Sequence, residues 1–99
     1  MSVQSLGMIE TVGLTAAIEA ADAAIKSANI VLIGYELTKS NGVITVKFEG
    51  ETSAVNTAIS AGCAAVSRIG EVYSHKVVSR SDNETSDASY ADDDVTLLV

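Results

Sequence analysis

The fold is decided by residues 30–49, which read IVLIGYELTKSNGVITVKFE. The first six residues form a continuous apolar run, which is typical of a central strand covered on both faces. The residues after Gly42 alternate instead: Ile44, Val46 and Phe48 share one face, and the other face carries Thr45, Lys47 and Glu49. This alternation predicts a half-buried strand. The polar loop between the two strands contains Asn41-Gly42, which readily supplies positive φ angles, so the stretch predicts a β-hairpin.

A strand and a helix precede this hairpin. Residues 3–11 are mostly apolar and contain Gly7, which suggests a buried strand that another backbone approaches closely. After Gly13, apolar residues recur at helical spacing and predict a first helix with the stripe Leu14, Ile18, Ala21 and Ile25. Asn29 is a suitable left-handed residue to stop this helix.

A second helix and a last strand follow the hairpin. Thr52 or Ser53 can cap the helix, Gly70 ends it, and its predicted buried stripe is Val55, Ile59, Gly62, Val66 and Ile69. The last strand is predicted over residues 71–78. The fold class is therefore α+β with the ferredoxin-like order β-α-β-β-α-β, in which one antiparallel sheet carries both helices on one face.

The charge divides the chain into a domain and a tail. The formal net charge of the 99 residues is −7. Residues 1–80, the predicted domain, carry seven acidic and six basic residues, whereas residues 81–99 carry six acidic and no basic residues. We expect this polar, acidic tail to be flexible, although it closes on the apolar residues 95–99. An acidic chain without a basic stripe is a poor nucleic-acid binder, so we expect no nucleic-acid partner.

Other classes of protein are excluded by what the sequence lacks. No stretch approaches 18 apolar residues and no signal peptide is visible, so we expect a cytoplasmic chain without a membrane partner. Cys63 is the single cysteine and is predicted to be a buried, inert thiol. His75, the single histidine, is predicted to lie at the surface or an interface. With no matched carboxylate pair, we expect no catalytic residue, no cofactor and no metal site within one chain.

Both helices are rich in small residues, with seven alanines at positions 16, 17, 20, 21, 23, 24 and 28 of the first. Such an apolar stripe is too wide for a single buried face. Either the alanines reflect helix propensity alone, or other subunits cover part of this surface.

Six blocks of the sequence resemble hexamer-forming bacterial microcompartment (BMC) shell proteins. They are LGMIET at 6–11, GL at 13–14, AIEAAD at 17–22, KSAN at 26–29, LIGYE at 32–36 and RIGEV at 68–72. The resemblance covers residues 4–80 approximately. It implies a fold like the one derived above and a structural, non-enzymatic shell subunit. Six copies would form a flat disc, and discs would tile with other shell proteins around encapsulated enzymes in the bacterial cytoplasm.

The resemblance also implies two functional regions. The loop between the second and third strands lines the pore on the six-fold axis in this family; here it comprises Thr38, Lys39, Ser40, Asn41 and Gly42. At the disc edge of this family, a lysine meets a neighbouring disc and an arginine at the end of the last strand joins the contact. Lys26 and Arg80 match these two residues, and Asn29, close to Lys26, is assigned to the same edge contact. The family commonly has proline on both sides of that arginine. This chain has Ser79 and Ser81, which leave φ free.

Each assigned role has an alternative. Six copies of Lys39 around a pore would favour small polar or anionic solutes, unless the side chain points into bulk water. Lys26 suits an edge because its apolar stem can lie flat while the ammonium donates to carbonyl groups; otherwise it is a solvated helix lysine. The apolar residues 95–99 could dock on a neighbour or an enzyme as a strand or helix.

Two other functions remain open. One is a ferredoxin-like regulatory module in which the Lys39 loop binds a small anionic effector. The other is a small enzyme such as an acyl-phosphate hydrolase, which needs a catalytic arginine–asparagine arrangement that the sequence does not show.

Overall fold

A computed structural model of the chain describes residues 4–38, 42–79 and 95–97. The elements in chain order are β1 (Gln4–Val12), α1 (Leu14–Ser27), β2 (Val31–Thr38), β3 (Val43–Glu51), α2 (Thr52–Val66), β4 (Val72–Ser79) and β5 (Val95–Leu97). The strands form one antiparallel sheet in the order β4-β1-β3-β2-β5. The predicted α+β class, the β-α-β-β-α-β order and the β2–β3 hairpin are confirmed. A fifth strand, formed by part of the apolar segment 95–99, extends the sheet beyond β2.

The hydrophobic core lies between the sheet and the two helices. Its largest fully buried side chains include Leu6, Ile9, Val46, Phe48, Val55 and Val66. Gly7 lies on β1 beneath this core, where a Cβ atom would come within 2.7 Å of Phe48 Cε2 and of Val55 Cγ1. The close approach predicted at Gly7 therefore exists, but it is made by two side chains and not by another backbone.

Helix α1 buries a different face from the predicted one. The buried residues are Ala16, Ala17, Ala20, Ala21 and Ala24, whereas Leu14 and Ile18 are each 51% exposed and Ile25 is 46% exposed. The reason is the close packing of α1 against α2. A Cβ atom at Gly62 of α2 would lie 3.2 Å from the carbonyl oxygen of Ala20, so only small side chains fit between the helices. The predicted stripe is thus correct at Ala21 and wrong at the three large residues.

The sequence predicted a central strand at residues 30–35 and a half-buried strand after Gly42, and the structure reverses these two positions. β3 lies between β1 and β2, and Thr45 and Lys47 on its predicted open face are each only 4% exposed. β2 is the outermost of the four long strands on its side of the described sheet, with the short β5 beyond it. Val31 on β2 is 64% exposed. The apolar run therefore belongs to the outer of these two strands, and the alternating run belongs to the central one.

The ends of α2 also differ from the prediction. Glu51 is the N-cap residue, without a side-chain capping hydrogen bond, and Thr52 is the first helical residue. The hydroxyl of Thr52 makes a 2.6 Å hydrogen bond with the hydroxyl of Ser5 on β1. The helix ends at Val66, before Gly70, and Ile69 in the following turn is 56% exposed. Four of the five residues of the predicted stripe are buried: Val55, Ile59, Gly62 and Val66. No helix within the described ranges is long and apolar enough to cross a membrane.

Candidate functional site

The predicted pore loop joins β2 to β3 at one end of the sheet. Thr38 is the last residue of β2, and Gly42, which is exposed with φ 69°, directly precedes β3. The positive φ explains the need for glycine there. Lys39, Ser40 and Asn41 lie outside the described residues, so their assignment to the pore stays a prediction.

A hydrogen-bond network holds the base of this loop, and its key residue was not found from the sequence. The backbone N–H of Gly13 donates to the carbonyl of Gly42 over 3.0 Å, which ties the start of α1 to the end of the loop. Thr11, with no exposed surface, shares its hydroxyl proton between the carbonyls of Gly13 at 3.2 Å and Ile44 at 3.4 Å. Gly13 itself adopts φ 92°, a conformation that disfavours any side chain. These contacts position both ends of the hairpin base.

The predicted edge residues lie at the opposite end of the domain. Lys26 is in the last turn of α1, with its side chain 74% exposed and its ammonium 3.0 Å from the carboxylate of Asp22. The ammonium group has three donors, so this surface pair leaves it able to donate to a further acceptor. Asn29 is exposed two residues after α1 and lines a surface cavity of about 370 Å³ with Gln4 and Glu51, among others.

Arg80 lies outside the described residues, but the strand before it is well placed. Its neighbour Ser79 ends β4 and is paired with Ser5. Ser5 is adjacent to Gln4, which lines the same cavity as Asn29. The structure therefore brings the end of β4 and the end of α1 to one end of the sheet, and the assignment of Arg80 to a disc edge stays a prediction.

The two predicted regions are thus separated by the length of the sheet. Thr38, Gly42 and Gly13 are at one end, whereas Asn29, Ser79 and the C-terminal turn of α1 are at the other. β1, which runs between these ends, has nine residues and spans about 30 Å at 3.3 Å per residue. Such an arrangement allows one end of the chain to face an axis while the other faces a rim.

Ionisable residues form polar contacts between strands in the middle of the sheet, which the sequence did not predict. The Lys47 ammonium lies 2.6 Å from the Glu36 carboxylate, with the side chains 5% and 14% exposed. The Glu10 carboxylate accepts hydrogen bonds from Thr45, over 3.4 Å, and from Ser74. These contacts could have been predicted only from the pairing register of the strands, which sets Glu36 opposite Thr45 and Glu10 opposite both Thr45 and Ser74. These contacts explain how a central strand keeps polar side chains.

Cys63 and His75, the single cysteine and the single histidine of the sequence, lie on α2 and β4. Cys63 is half-buried on α2, and burial raises the pKa of its thiol, which keeps it protonated. The sequence predicted a buried thiol at Cys63, whereas the structure buries it only in part. His75 is exposed on β4, where it lines a shallow cavity of about 70 Å³ with Glu10 and Lys76. Among the described residues, no group of three or more His, Cys, Asp or Glu side chains could hold a metal ion.

One known family model matches most of the chain. The model of the BMC domain matches residues 5–81, which is more than three quarters of the chain. The chain belongs to the BMC-domain family. The resemblance in the sequence blocks is therefore confirmed, and the chain is a microcompartment shell protein with a single BMC domain.

Curated relatives include shell proteins of different compartments. The chain is 52% identical over 80 residues to the bacterial microcompartment shell protein PduA of Salmonella typhimurium, which covers 81% of this chain and 84% of PduA. It is 45% identical over 78 residues to the carboxysome shell protein CcmK2 of Synechococcus elongatus, which covers 77% and 76% of the two chains. The shell protein EutK of Escherichia coli is 42% identical over 83 residues, with 84% of this chain but 49% of EutK covered.

A solved structure has the same fold. The crystal structure of a microcompartments protein from Desulfitobacterium hafniense superposes with a TM-score of 0.69 at 26% sequence identity. The alignment covers 78% of this BMC protein and 41% of the D. hafniense chain, so this protein corresponds to less than half of that chain.

Proposed function

We propose that this BMC protein forms cyclic hexamers that tile into the shell of a bacterial microcompartment, with a central pore for small polar or anionic metabolites. The observation that carries the proposal is the placement of the two predicted regions at opposite ends of one sheet. A ring subunit needs this polarity, because its inner end must line the axis while its outer end meets the next ring.

The apolar surface of the single chain supports self-association. Within the described ranges, seven large hydrophobic side chains are more than a third exposed: Val12, Leu14, Ile18, Val31, Leu37, Ile69 and Ile25. Leu14, Ile18 and Ile25 lie on one face of α1, since their spacing of four and seven residues repeats the helical turn. Large apolar patches on a small domain mark interaction sites. In the proposed ring, neighbouring copies cover part of this surface.

The proposed outer rim depends on Lys26. Its side chain is mostly exposed and, in the part of the chain that the structure describes, forms a surface ion pair with Asp22, which contributes little to stability. The ammonium can therefore reach carbonyl groups across a junction at small cost. Asn29 and Arg80 complete this rim in the proposal, and other shell proteins of the same compartment are the partners that meet it.

The proposed inner end depends on the loop held by Gly13 and Gly42. Six copies of Lys39 around one axis would attract small anions, and Ser40 and Asn41 offer neutral donors and acceptors that can replace part of a solute's hydration. The compartment itself lies in the bacterial cytoplasm in this proposal, and encapsulated enzymes are the contents of the shell. Within the tail, residues 81–99, Val95–Leu97 pair with β2 as β5, and the acidic stretch that precedes them is the proposed flexible region.

The ring is tested by mass. Size-exclusion chromatography with light scattering should give about six times the chain mass of 10.2 kDa. A monomeric mass at high concentration would overturn the proposal. A trimeric mass together with saturable binding of a small anion would favour the regulatory-module alternative.

The rim is tested by reversing one charge. Lys26→Asp should leave the hexameric mass unchanged but abolish the hexagonal sheets that the unchanged chain forms under electron microscopy. Lys76→Asp is the matched control, because Lys76 is also exposed but lies on β4, and it should retain the sheets. Intact sheets from Lys26→Asp would contradict the role of Lys26.

The solute preference is tested at Lys39. Shells assembled from Lys39→Ala should pass a small anion more slowly than unchanged shells, while passing a neutral solute of equal size at the same rate. Lys76→Ala shells serve as the control. An unchanged anion flux would remove the anion preference and leave the ring itself unaffected.

A further inference from the structure

Strand β5 is held by one neighbour. Its residues pair with the outer edge of β2 as Leu97 with Glu36, Thr96 with Leu37 and Val95 with Thr38. In the described sheet β5 is the terminal strand and adjoins β2 alone. Three residue pairs fix a strand only weakly, because the ordering of its backbone offsets much of what the pairs contribute.

The edge that β5 covers lacks the usual protection against pairing with other chains. Natural edge strands carry outward lysines or prolines, and β2 (VLIGYELT) contains neither. Its one charged residue, Glu36, has its carboxylate 2.6 Å from the ammonium of Lys47. Val31 and Leu37 on this strand are 64% and 37% exposed. This edge therefore accepts an added strand readily, and an apolar strand of the β5 type fits it.

The chain between β4 and β5 is long enough to reach beyond its own subunit. β4 and β5 lie at opposite edges of the sheet, four strand spacings apart, which is about 19 Å at 4.8 Å per spacing. The 15 residues from 80 to 94 can extend over about 50 Å. The connection thus has far more length than pairing within one chain requires.

We infer that β5 is an exchangeable strand, which in the assembled ring pairs with β2 of an adjacent copy. Every copy presents the same β2 edge, so the exchange keeps the same three residue pairs and costs no contacts. It covers the unprotected edge and links neighbouring subunits through their backbones. The inference rests on the proposed ring, because the ring is what brings a second β2 edge within reach of the connection.

A disulfide trap distinguishes exchange from pairing within one chain. Leu37 and Thr96 are directly opposite each other in the register, and opposite residues of antiparallel strands have the Cα separation that a disulfide needs. The variant Leu37→Cys/Thr96→Cys, made in a Cys63→Ala background, is oxidised as the assembled ring. Exchange predicts a ladder of covalently linked chains, up to six, on a non-reducing denaturing gel.

The matched control is Val31→Cys/Thr96→Cys. Val31 is exposed on the same strand but lies six residues from Leu37, or about 20 Å along it. This variant should give no ladder, and reduction should remove the ladder of the first variant. A ladder of equal strength from both variants would reflect random collisions and would overturn the inference.

The remaining outcomes separate the inference from the proposed function. Oxidised thiols with only single chains on the gel, in a sample of hexameric mass, would show pairing within one chain and overturn exchange while leaving the ring. Thiols that stay free in such a sample would overturn the β2–β5 pairing itself. A monomeric mass before oxidation would overturn the ring, and the exchange with it.

Discussion

The buried ion pair between β2 and β3 gives a sharp test of the sheet. Lys47 and Glu36 lie 2.6 Å apart with side chains 5% and 14% exposed. Removing one partner of a buried pair leaves the other charge poorly solvated and costs about 3–5 kcal/mol. Because Glu36 keeps a little contact with water, we expect Lys47→Met to lower the free energy of unfolding by about 3 kcal/mol, the lower end of that range.

Urea unfolding at a fixed chain concentration measures this loss. With a slope of about 1.5–2 kcal/mol per molar urea for a domain of this size, the midpoint should fall by about 1.5–2 M. The double variant Lys47→Met/Glu36→Leu should recover most of the loss, since replacing both charges by apolar groups is often near neutral. Lys26→Met is the control: it breaks an exposed pair, and we expect a change below about 0.5 kcal/mol. A Lys47→Met midpoint equal to that of Lys26→Met would refute the buried position of the pair.

Three further predictions concern the helix contact, the loop base and the thiol. Gly62→Ala places a Cβ atom 2.6 Å from Cδ1 of Ile9 and 3.2 Å from the backbone oxygen of Ala20, and it should cost about 1–3 kcal/mol in urea unfolding. Ser60→Ala, at an exposed position of the same helix, should change little, and equal stability of the two variants would contradict the close packing around Gly62. Thr11→Val removes the hydroxyl that donates to the carbonyls of Gly13 and Ile44, so the backbone amide hydrogen of Gly13 should exchange with solvent faster, as measured by NMR. Thr11→Ser should restore the slower exchange, and an unchanged rate in the valine variant would argue against the network. Burial raises the pKa of the Cys63 thiol from its ordinary value, so at pH 8.5 iodoacetamide should alkylate the folded chain more slowly than the urea-unfolded chain; equal alkylation rates would contradict the partial burial. Stability should decrease as the pH rises past the ordinary pKa of a free cysteine, because the unfolded thiol ionises first.

Element order was predictable from the sequence, whereas the choice of buried face was not. The apolar run and the alternating run at 30–49 gave the correct hairpin because turn residues and periodicity are local signals. Helix α1 has two apolar stripes, one of alanines and one with Leu14, Ile18 and Ile25. Periodicity cannot decide which of them faces the chain's own core, because that depends on how closely α2 approaches at Gly62.

The position of each strand within the sheet could likewise not be predicted from local sequence patterns. The uninterrupted apolar run of β2 suggested a strand buried on both faces, but it lies outside β3 and is covered at its edge only by β5. The polar residues of β3 suggested an open face, but Thr45 and Lys47 are buried because Glu10 and Glu36 on the neighbouring strands pair with them. Such pairing across strands depends on register, which a single sequence does not state.

The candidate sites were predictable only in part. The resemblance assigned Lys26 and Asn29 to one region and the loop from Thr38 to Gly42 to another, and the strand register then showed that these regions occupy opposite ends of the sheet. Thr11 carried no signal in the sequence, because a threonine within an apolar strand is common. Its importance follows from the two carbonyl groups within reach of its hydroxyl.

The orientation of the subunit in the ring is the measurement that tests this account most directly. A cryo-electron microscopy map of the two-dimensional sheets would show where each end of the domain lies. We predict six-fold rings in which the β2–β3 hairpins of all six copies surround the axis and the C-terminal turns of α1, with Lys26, meet the next ring. Rings with the α1 C-terminus at the axis and the hairpin at the rim would contradict the account, as would sheets built from any other number of copies.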